Sequence, residues 1–211
     1  MPSTTELTNK YLEEHPSIKD CLKHGIINYS KLSRKISNEL KIQKKTSIEA
    51  ILIACRRYEV KLQKDKVLED NIIKILKKSE LEIKNKIIVS IINKKANLEK
   101  LLDIEKKVRK NGDLFYVIEG TKVYTVITSE KYIDDIKKWY ENEILNISKD
   151  LASITIKSPK ELENTPGVNA YIFSMFGDHQ INIVEQMSCW TDTIIVISEN
   201  DIPMVMNFLK I

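Results

Sequence analysis

The sequence predicts an α+β protein. It divides into an N-terminal helical module over residues 1–64, a connecting helix over 65–80, and two β-α-β-β-α units over 81–147 and 148–211. Three observations carry this. From the start of the chain to Lys64, apolar positions recur at helical spacing between recognisable caps and stops. After Lys78 the pattern changes to short β-branched runs alternating with helical stretches. The second of these strand-and-helix units repeats the element order of the first at an offset of about 65–70 residues, an internal repeat.

Composition narrows the class. A chain of 211 residues, 42% hydrophobic and 30% charged, can bury a proper core in one large or two small domains. Five glycines and five prolines argue against long flexible linkers. The net charge of +4 is uneven: residues 1–78 hold 17 Lys and Arg against 10 Asp and Glu, and residues 79–211 hold 17 against 20. A basic front on an acidic back points to nucleic acid as a partner of the front, or to lysines spread over solvated faces. Cys21, Cys55 and Cys189 are odd in number, far apart and without zinc or disulfide spacing, which fits a reducing compartment. The opening Met1-Pro2-Ser3-Thr4-Thr5-Glu6 has neither the basic nor the apolar region of a secretory leader. No apolar run reaches the roughly 18 residues of a membrane span. The expected location is the cytoplasm, with no membrane partner.

In chain order, residues 5–14 and 17–24 form two short helices separated at Pro16, because the residue before proline avoids the helical region. Gly25 stops the second after Lys23 and His24. Ser30 caps a helix whose Leu32, Ile36 and Leu40 repeat every four residues. Lys41 to Lys45 is a basic turn. Thr46-Ser47-Ile48-Glu49 has capping-box spacing and opens a helix that buries Ile48, Ile51, Leu52, Cys55 and Leu62 and exposes Arg56, Arg57 and Lys64. A further helix over about 66–78 presents Val67, Ile72, Ile75 and Leu76.

Ile87 to Ile92 suits a buried strand. Residues 96–110 are helical, with Leu98, Leu101, Leu102 and Val108 as the core stripe, and Asn111-Gly112 ends them. Phe115 to Ile118 and Val123 to Ile127 form a hairpin about Glu119-Gly120, and Tyr132, Ile133, Ile136, Trp139 and Tyr140 mark the next helix. The second unit has a short strand at Ile154 and Ile156 and a loop holding Thr165-Pro166-Gly167-Val168. A helix with Val168, Tyr171, Ile172, Met175 and Phe176 on one face follows. Then come a strand at Ile181-Asn182-Ile183-Val184, a turn at Thr191-Asp192 and a strand from Thr193 to Ile197.

The copies align where Val126-Ile127-Thr128-Ser129-Glu130 answers Val196-Ile197-Ser198-Glu199-Asn200, and Ile88-Val89-Ser90-Ile91 answers Ala152-Ser153-Ile154-Thr155. They differ between first strand and helix, where Asn93-Lys94-Lys95-Ala96-Asn97 stands against Thr165-Pro166-Gly167-Val168. Glycine in such a loop lets backbone N–H groups approach a ligand, and the helix N-terminus behind it favours a carboxylate. Pro-Gly is also an ordinary turn and helix-start signal.

The β-α-β-β order of residues 153–201 opens a ferredoxin-like unit. It resembles the ACT domain, in the version of the regulatory half of aspartate kinases. The resemblance lies in the Pro166-Gly167-Val168 loop, the Phe173 to Phe176 helix end, the Ile181-Asn182-Ile183 strand and the Ile194 to Ile197 strand, about a quarter of the chain. The front segment is similar to archaeal proteins described as predicted ACT-domain regulators of amino-acid metabolism. There the similar runs are His15-Pro16-Ser17-Ile18-Lys19-Asp20-Cys21-Leu22, Gly25-Ile26-Ile27-Asn28-Tyr29-Ser30 and Ala54-Cys55-Arg56-Arg57-Tyr58. The resemblance implies two ACT-like βαββαβ repeats behind the helical module, and a regulatory role. Its ligand would be an amino acid or similar small molecule near Thr165, Pro166, Gly167, Val168, Asn182 and Gln186.

The helical module also reads as helix-turn-helix. Tyr29-Ser30 through Leu40 would support a recognition helix beginning at Thr46, with Gln43, Lys44, Lys45, Thr46 and Ser47 facing base edges and Arg56 and Arg57 on phosphates. The interhelix turn is five residues long and lacks glycine, so a module that docks on a metabolic enzyme without DNA is the alternative. No Walker, dinucleotide, Gly-x-Ser-x-Gly or kinase motif occurs, and His15, His24 and His179 are far apart. No catalytic residue, metal or cofactor is expected. After its last helix the second unit has no residues for a fourth strand. Either Ile144 to Ile147 is shared, or a homodimer completes the sheet through edges or faces.

Overall fold

The computed structural model describes residues 2–209, with side chains throughout except at 63–68. The expected exposed Lys64 and core Val67 lie outside the described side chains. The chain divides into two units, Met1–Ile73 and Lys74–Ile211. At that boundary the charge is less lopsided than a division after Lys78 makes it. The first unit holds 14 Lys and Arg against 10 Asp and Glu, and the second 20 against 20.

The first unit contains α1 (Thr4–Glu13), α2 (Pro16–Lys23), α3 (Tyr29–Glu39) and the greater part of α4 (Ile48–Leu76). Ser3 closes the start of α1, its hydroxyl accepting from the Glu6 N–H while the Glu6 carboxylate accepts from the Ser3 N–H at 2.7 Å. Pro16 is the first residue of α2, where its missing N–H has no partner to lose. Gly25, at φ +66°, ends α2: its N–H reaches the Leu22 carbonyl, and the Ile26 N–H reaches that of Cys21.

Two caps differ from the sequence reading. Asn28 rather than Ser30 caps α3, accepting from the Lys31 N–H at 3.0 Å. Ser47 caps α4 by accepting from the Ala50 N–H at 3.2 Å, while the Thr46 hydroxyl is hydrogen-bonded to that of Thr4 at 2.7 Å. The break expected near residue 65 is absent. Neither proline nor glycine occurs between residues 48 and 76, so α4 continues for 29 residues. Leu12, Leu22, Leu32, Ile36, Ile51, Cys55 and Leu62 draw all four helices into one core, and the expected core residues Ile48 and Leu52 are only half-buried.

The second unit is built on one six-stranded antiparallel sheet. Its strands are β1 (Glu80–Asn93), β2 (Phe115–Glu119), β3 (Val123–Ser129), β4 (Ile144–Lys157), β5 (Glu185–Cys189) and β6 (Asp192–Ser198), in the order β2-β3-β1-β4-β6-β5. Four helices accompany it, α5 (Leu98–Lys110), α6 (Ile133–Tyr140), α7 (Val168–Asp178) and α8 (Ile202–Phe208). The order β1-α5-β2-β3-α6 is followed by β4-α7-β5-β6-α8. The step from Glu80 to Ile144, where the two first strands begin, is shorter than the step from Leu98 to Val168 or from Phe115 to Glu185. The difference lies in residues 158–167, which include a short 3-10 turn at Lys160–Asn164, where the first half needs only 94–97. Ser129 and Ser198 each begin a 3-10 turn, so the strings Val126–Glu130 and Val196–Asn200 are aligned one residue out of step in the sequence comparison.

The two central strands complete both halves. β1 and β4 are 14 residues each and pair in two stretches, Ile87–Ile92 with Ile144–Leu151 and Glu80–Lys84 with Ser153–Lys157. Lys86 and Asp150, each seventh in its strand, take φ of 52° and 54° where the register shifts. β3 pairs with Ile87–Asn93 and β6 with Leu151–Lys157. Each half thus takes its fourth strand from the opening residues of the other half's first strand, and its order is 4-1-3-2, that of a ferredoxin-like unit. Ile144 to Ile147 serves the first half, and Glu80–Lys84 serves the second.

The expected strand at Ile181–Val184 is displaced. Gln180 turns left-handed at φ 57°, and the Ile181 N–H bonds back to the Phe176 carbonyl at 2.9 Å, so Ile181 closes α7 and the strand starts at Glu185. The hairpin that follows turns at Trp190-Thr191. On one face of the sheet, Ile88, Ile92, Phe115 and Val126 pack with Leu101, Ile104 and Val108 of α5 and Ile136 and Tyr140 of α6. Ile104 occupies the stripe, and Leu98 and Leu102 are exposed, at 44% and 49%. On the opposite face Ile87, Val89, Ile127, Leu151 and Val196 share a second core with Tyr116 and Ile118 of β2 and Met187 of β5. One core that includes both edge strands requires the sheet to curl.

Candidate functional site

Gly167 adopts φ 89° and ψ −7° immediately before α7, a left-handed conformation that glycine enters without steric cost. No side chain caps this helix, and the Tyr171 N–H is bonded to the Gly167 carbonyl at 2.9 Å. The N–H groups of Val168, Asn169 and Ala170 therefore lead the helix without intrahelical partners. The Thr165 hydroxyl donates to the Glu161 carbonyl at 2.7 Å, and Pro166 is the link between it and Gly167. The Val168 side chain is in the core at 2% exposure, so only its backbone faces outward chemistry.

Asn182 and Gln186 are exposed. Asn182 follows the C-terminal end of α7, whose 11 residues rise about 16 Å, so the fold separates it from the loop at the N-terminal end. Gln186 stands on edge strand β5.

Elsewhere in this unit, cavities are lined by two sets of the described residues. One, of about 570 Å³, is lined by Phe115 to Glu119 of β2, Met187 to Cys189 of β5, Ile194 of β6, and Glu105 and Arg109 of α5. Arg109 Nε donates to Glu105 Oε1 at 2.6 Å. Burial raises the Tyr116 phenol above its ordinary range. The sequence signals nothing here, because the cleft is made by strands from opposite halves, one beginning at Phe115 and the other at Glu185. The other cavity, of about 420 Å³, is lined by Asn85, Lys86, Asp113, Ser129, Glu130 and Lys131. Lys131 at 2.7 Å and the Tyr132 hydroxyl at 2.5 Å hold the Asp113 carboxyl below the usual carboxylate range.

In the helical unit Gln43, Lys44, Lys45, Ser47, Arg56 and Arg57 are exposed, and Thr46 is half-buried. The Gln43 amide donates to Asn38 Oδ1 at 3.0 Å. The Arg56 guanidinium lies 5.5 Å from the centroid of the Tyr29 ring, whose hydroxyl donates to Glu59. Burial and that carboxylate push the Tyr29 phenol up to about 12. Ile53 and Val60 of α4 are 48% and 70% exposed, and their spacing of two helical turns puts them on one helix face. Among the described residues no group of three His, Cys, Asp or Glu is placed to hold a metal, and no helix is long and apolar enough to cross a membrane.

The chain matches no protein-family model and no curated protein. Among solved structures it is similar to the aspartate kinase of Clostridium acetobutylicum, at 15% identity over 60% of this chain and 32% of that one, with a TM-score of 0.49. The chain thus spans about a third of that enzyme. It is also similar to a putative C-terminal regulatory domain of aspartate kinase from Porphyromonas gingivalis, at 12% identity over 63% of this chain and 98% of that one, TM-score 0.46. A third is the regulatory subunit of aspartate kinase from Thermus flavus, at 14% identity over 62% and 94%, TM-score 0.47.

Proposed function

We propose that this chain is a non-catalytic regulator. Two ACT-like repeats, over residues 81–147 and 148–211, bind a small ligand, an amino acid. The helical module, whose last helix α4 runs unbroken to Leu76, binds DNA and couples the ligand to transcription. The observation that carries the reading is the strand order: two 4-1-3-2 halves, each completed by the other's first strand. The ligand carboxylate sits on the free N–H groups behind Thr165-Pro166-Gly167-Val168, with Gln186 as the further candidate; Asn182, past the far end of α7, stands outside that site. A ligand moves such a system only through unequal affinity for its two arrangements, and a hundredfold preference is worth about 2.7 kcal/mol. The assembly is a homodimer, formed through sheet edges or faces.

Calorimetry with the twenty amino acids tests the sensor. DNA binding through Gln43 to Ser47, Arg56 and Arg57 is tested by gel shift, where affinity falls with a log–log salt slope of about −0.9 per phosphate contacted. The exposed Ile53 and Val60, on the helix that carries Arg56 and Arg57, favour a second reading in which α4 docks on a metabolic enzyme. The absence of any salt-dependent gel shift, together with capture of a purified enzyme that Ile53→Asp abolishes, selects that reading.

A further inference from the structure

We propose that the cleft between the two edge strands of the sheet binds a small molecule with an apolar body and a single carboxylate. β2 and β5 are the outer strands, and among the described residues neither has a strand paired to its far edge. The cavity between them, about 570 Å³, is of the size that small-molecule sites occupy. Phe115, Met187 and Ile194 supply apolar lining, and Met187 is the kind of side chain that adapts to an apolar guest. Among the described residues Arg109 is the one cation in the lining. It gives Nε to Glu105, which leaves both terminal nitrogens for a two-pronged carboxylate contact. Glu119 is already paired with Lys94 at 2.6 Å. With Glu105 on Arg109 and Lys94 on Glu119 the lining carries no net positive charge, so a carboxylate binds through the two terminal guanidinium nitrogens and a second negative charge would be left unpaired. The unpaired backbone edges offer N–H and C=O groups to whatever polar atoms accompany the carboxylate.

The inference rests on the reading of this unit as a ligand-binding one, but not on the loop at Thr165 to Val168. It also supplies its own reporter. Cys189 lines the cleft and is exposed, whereas Cys55 is buried. Iodoacetamide labelling of the full chain at pH 8, read by mass spectrometry, is followed with millimolar 4-methylpentanoate or L-leucine, and with 3-methylbutanol and acetate as partial mimics. One or both of the first two slow Cys189 labelling at least fivefold, and the alcohol and acetate do not. The better protector tells a bare acid from an amino acid.

In Arg109→Met the protection falls at least tenfold in ligand affinity, and in Gly167→Val it persists. The comparison of acid with alcohol on the unaltered chain tests the same charge contact if the variant misfolds. Labelling unchanged by both carboxylates, or slowed equally by the alcohol, overturns the proposal. Protection kept in Arg109→Met and lost in Gly167→Val overturns the cleft and leaves the ligand-binding reading in place.

Discussion

Cys55 is completely enclosed in the core of the helical unit, and burial pushes its thiol up to about 11. An unfolded thiol ionises near 9, so between 9 and 11 the folded state holds more protons than the unfolded one. Stability present below 9 is lost as pH rises through 11, and Tyr29, pushed up to about 12, acts in the same direction at higher pH. The urea midpoint of the helical signal should therefore fall between pH 8.5 and 11, and fall less in Cys55→Ala. Circular dichroism at 222 nm at several pH values checks this, and equal slopes in the two proteins would remove Cys55 as the cause. Ser90 poses a different residue-scale test. Its hydroxyl is buried without a hydrogen-bond partner, and the residue at the same place in β4 is Ile154. Ser90→Ala should leave the second unit as stable or more stable by about 1 kcal/mol, since an unpaired buried hydroxyl is a cost. Trp139 and Trp190, the two tryptophans, are both in that unit and report its urea unfolding. At this scale Pro16, Gly25 and Gly112 were legible because their backbone constraints are intrinsic. The caps at Asn28 and Ser47 were not, because several hydroxyl or amide side chains stood near each helix start and Thr46 was taken by Thr4.

Among the elements, the join between α5 and α6 depends on Tyr140. Its ring is 1% exposed and its hydroxyl donates to the Asn97 carbonyl at 2.6 Å, while the Asn97 side chain caps α5 through the Glu99 N–H at 2.9 Å. Tyr140→Phe removes that one bond and leaves a carbonyl unpaired, so the second unit should lose about 1–2 kcal/mol in urea unfolding followed by tryptophan fluorescence. No loss would show that the bond is replaced by solvent. The existence of most elements could be read from the sequence, because hairpin and helix periodicities are local. The extents of β1 and β4 could not. Each is lengthened by pairing with a partner in the other half of the unit, and Lys86 and Asp150 give no local sign of the bulge that lets one strand serve two halves. The start of β5 was misplaced from Glu185 to Ile181, because Ile181 looks like a strand residue and is used to close a helix.

For the molecule as a whole, the shared strands set what can fold alone. Residues 74–211 contain every strand of the sheet, whereas 148–211 lack Glu80–Lys84, the fourth strand of their half. A 74–211 fragment should show a cooperative urea transition by tryptophan fluorescence, and a 148–211 fragment should show none. Cooperative folding of the shorter piece would contradict the reciprocal completion of the halves. The same architecture explains why part of the candidate site was legible and part was not. The Thr165 to Val168 loop is contiguous and carries its own Pro-Gly signal, but Asn182 lies beyond the far end of α7, and the cleft arises only when the sheet brings β2 and β5 to its two edges. Calorimetric titration of the full-length chain with the twenty amino acids and with 4-methylpentanoate decides whether this unit is a sensor at all. At least one should give a saturating isotherm. No heat from any of them, with Cys189 labelling equally indifferent to all, would contradict the ligand-binding function proposed for the sheet.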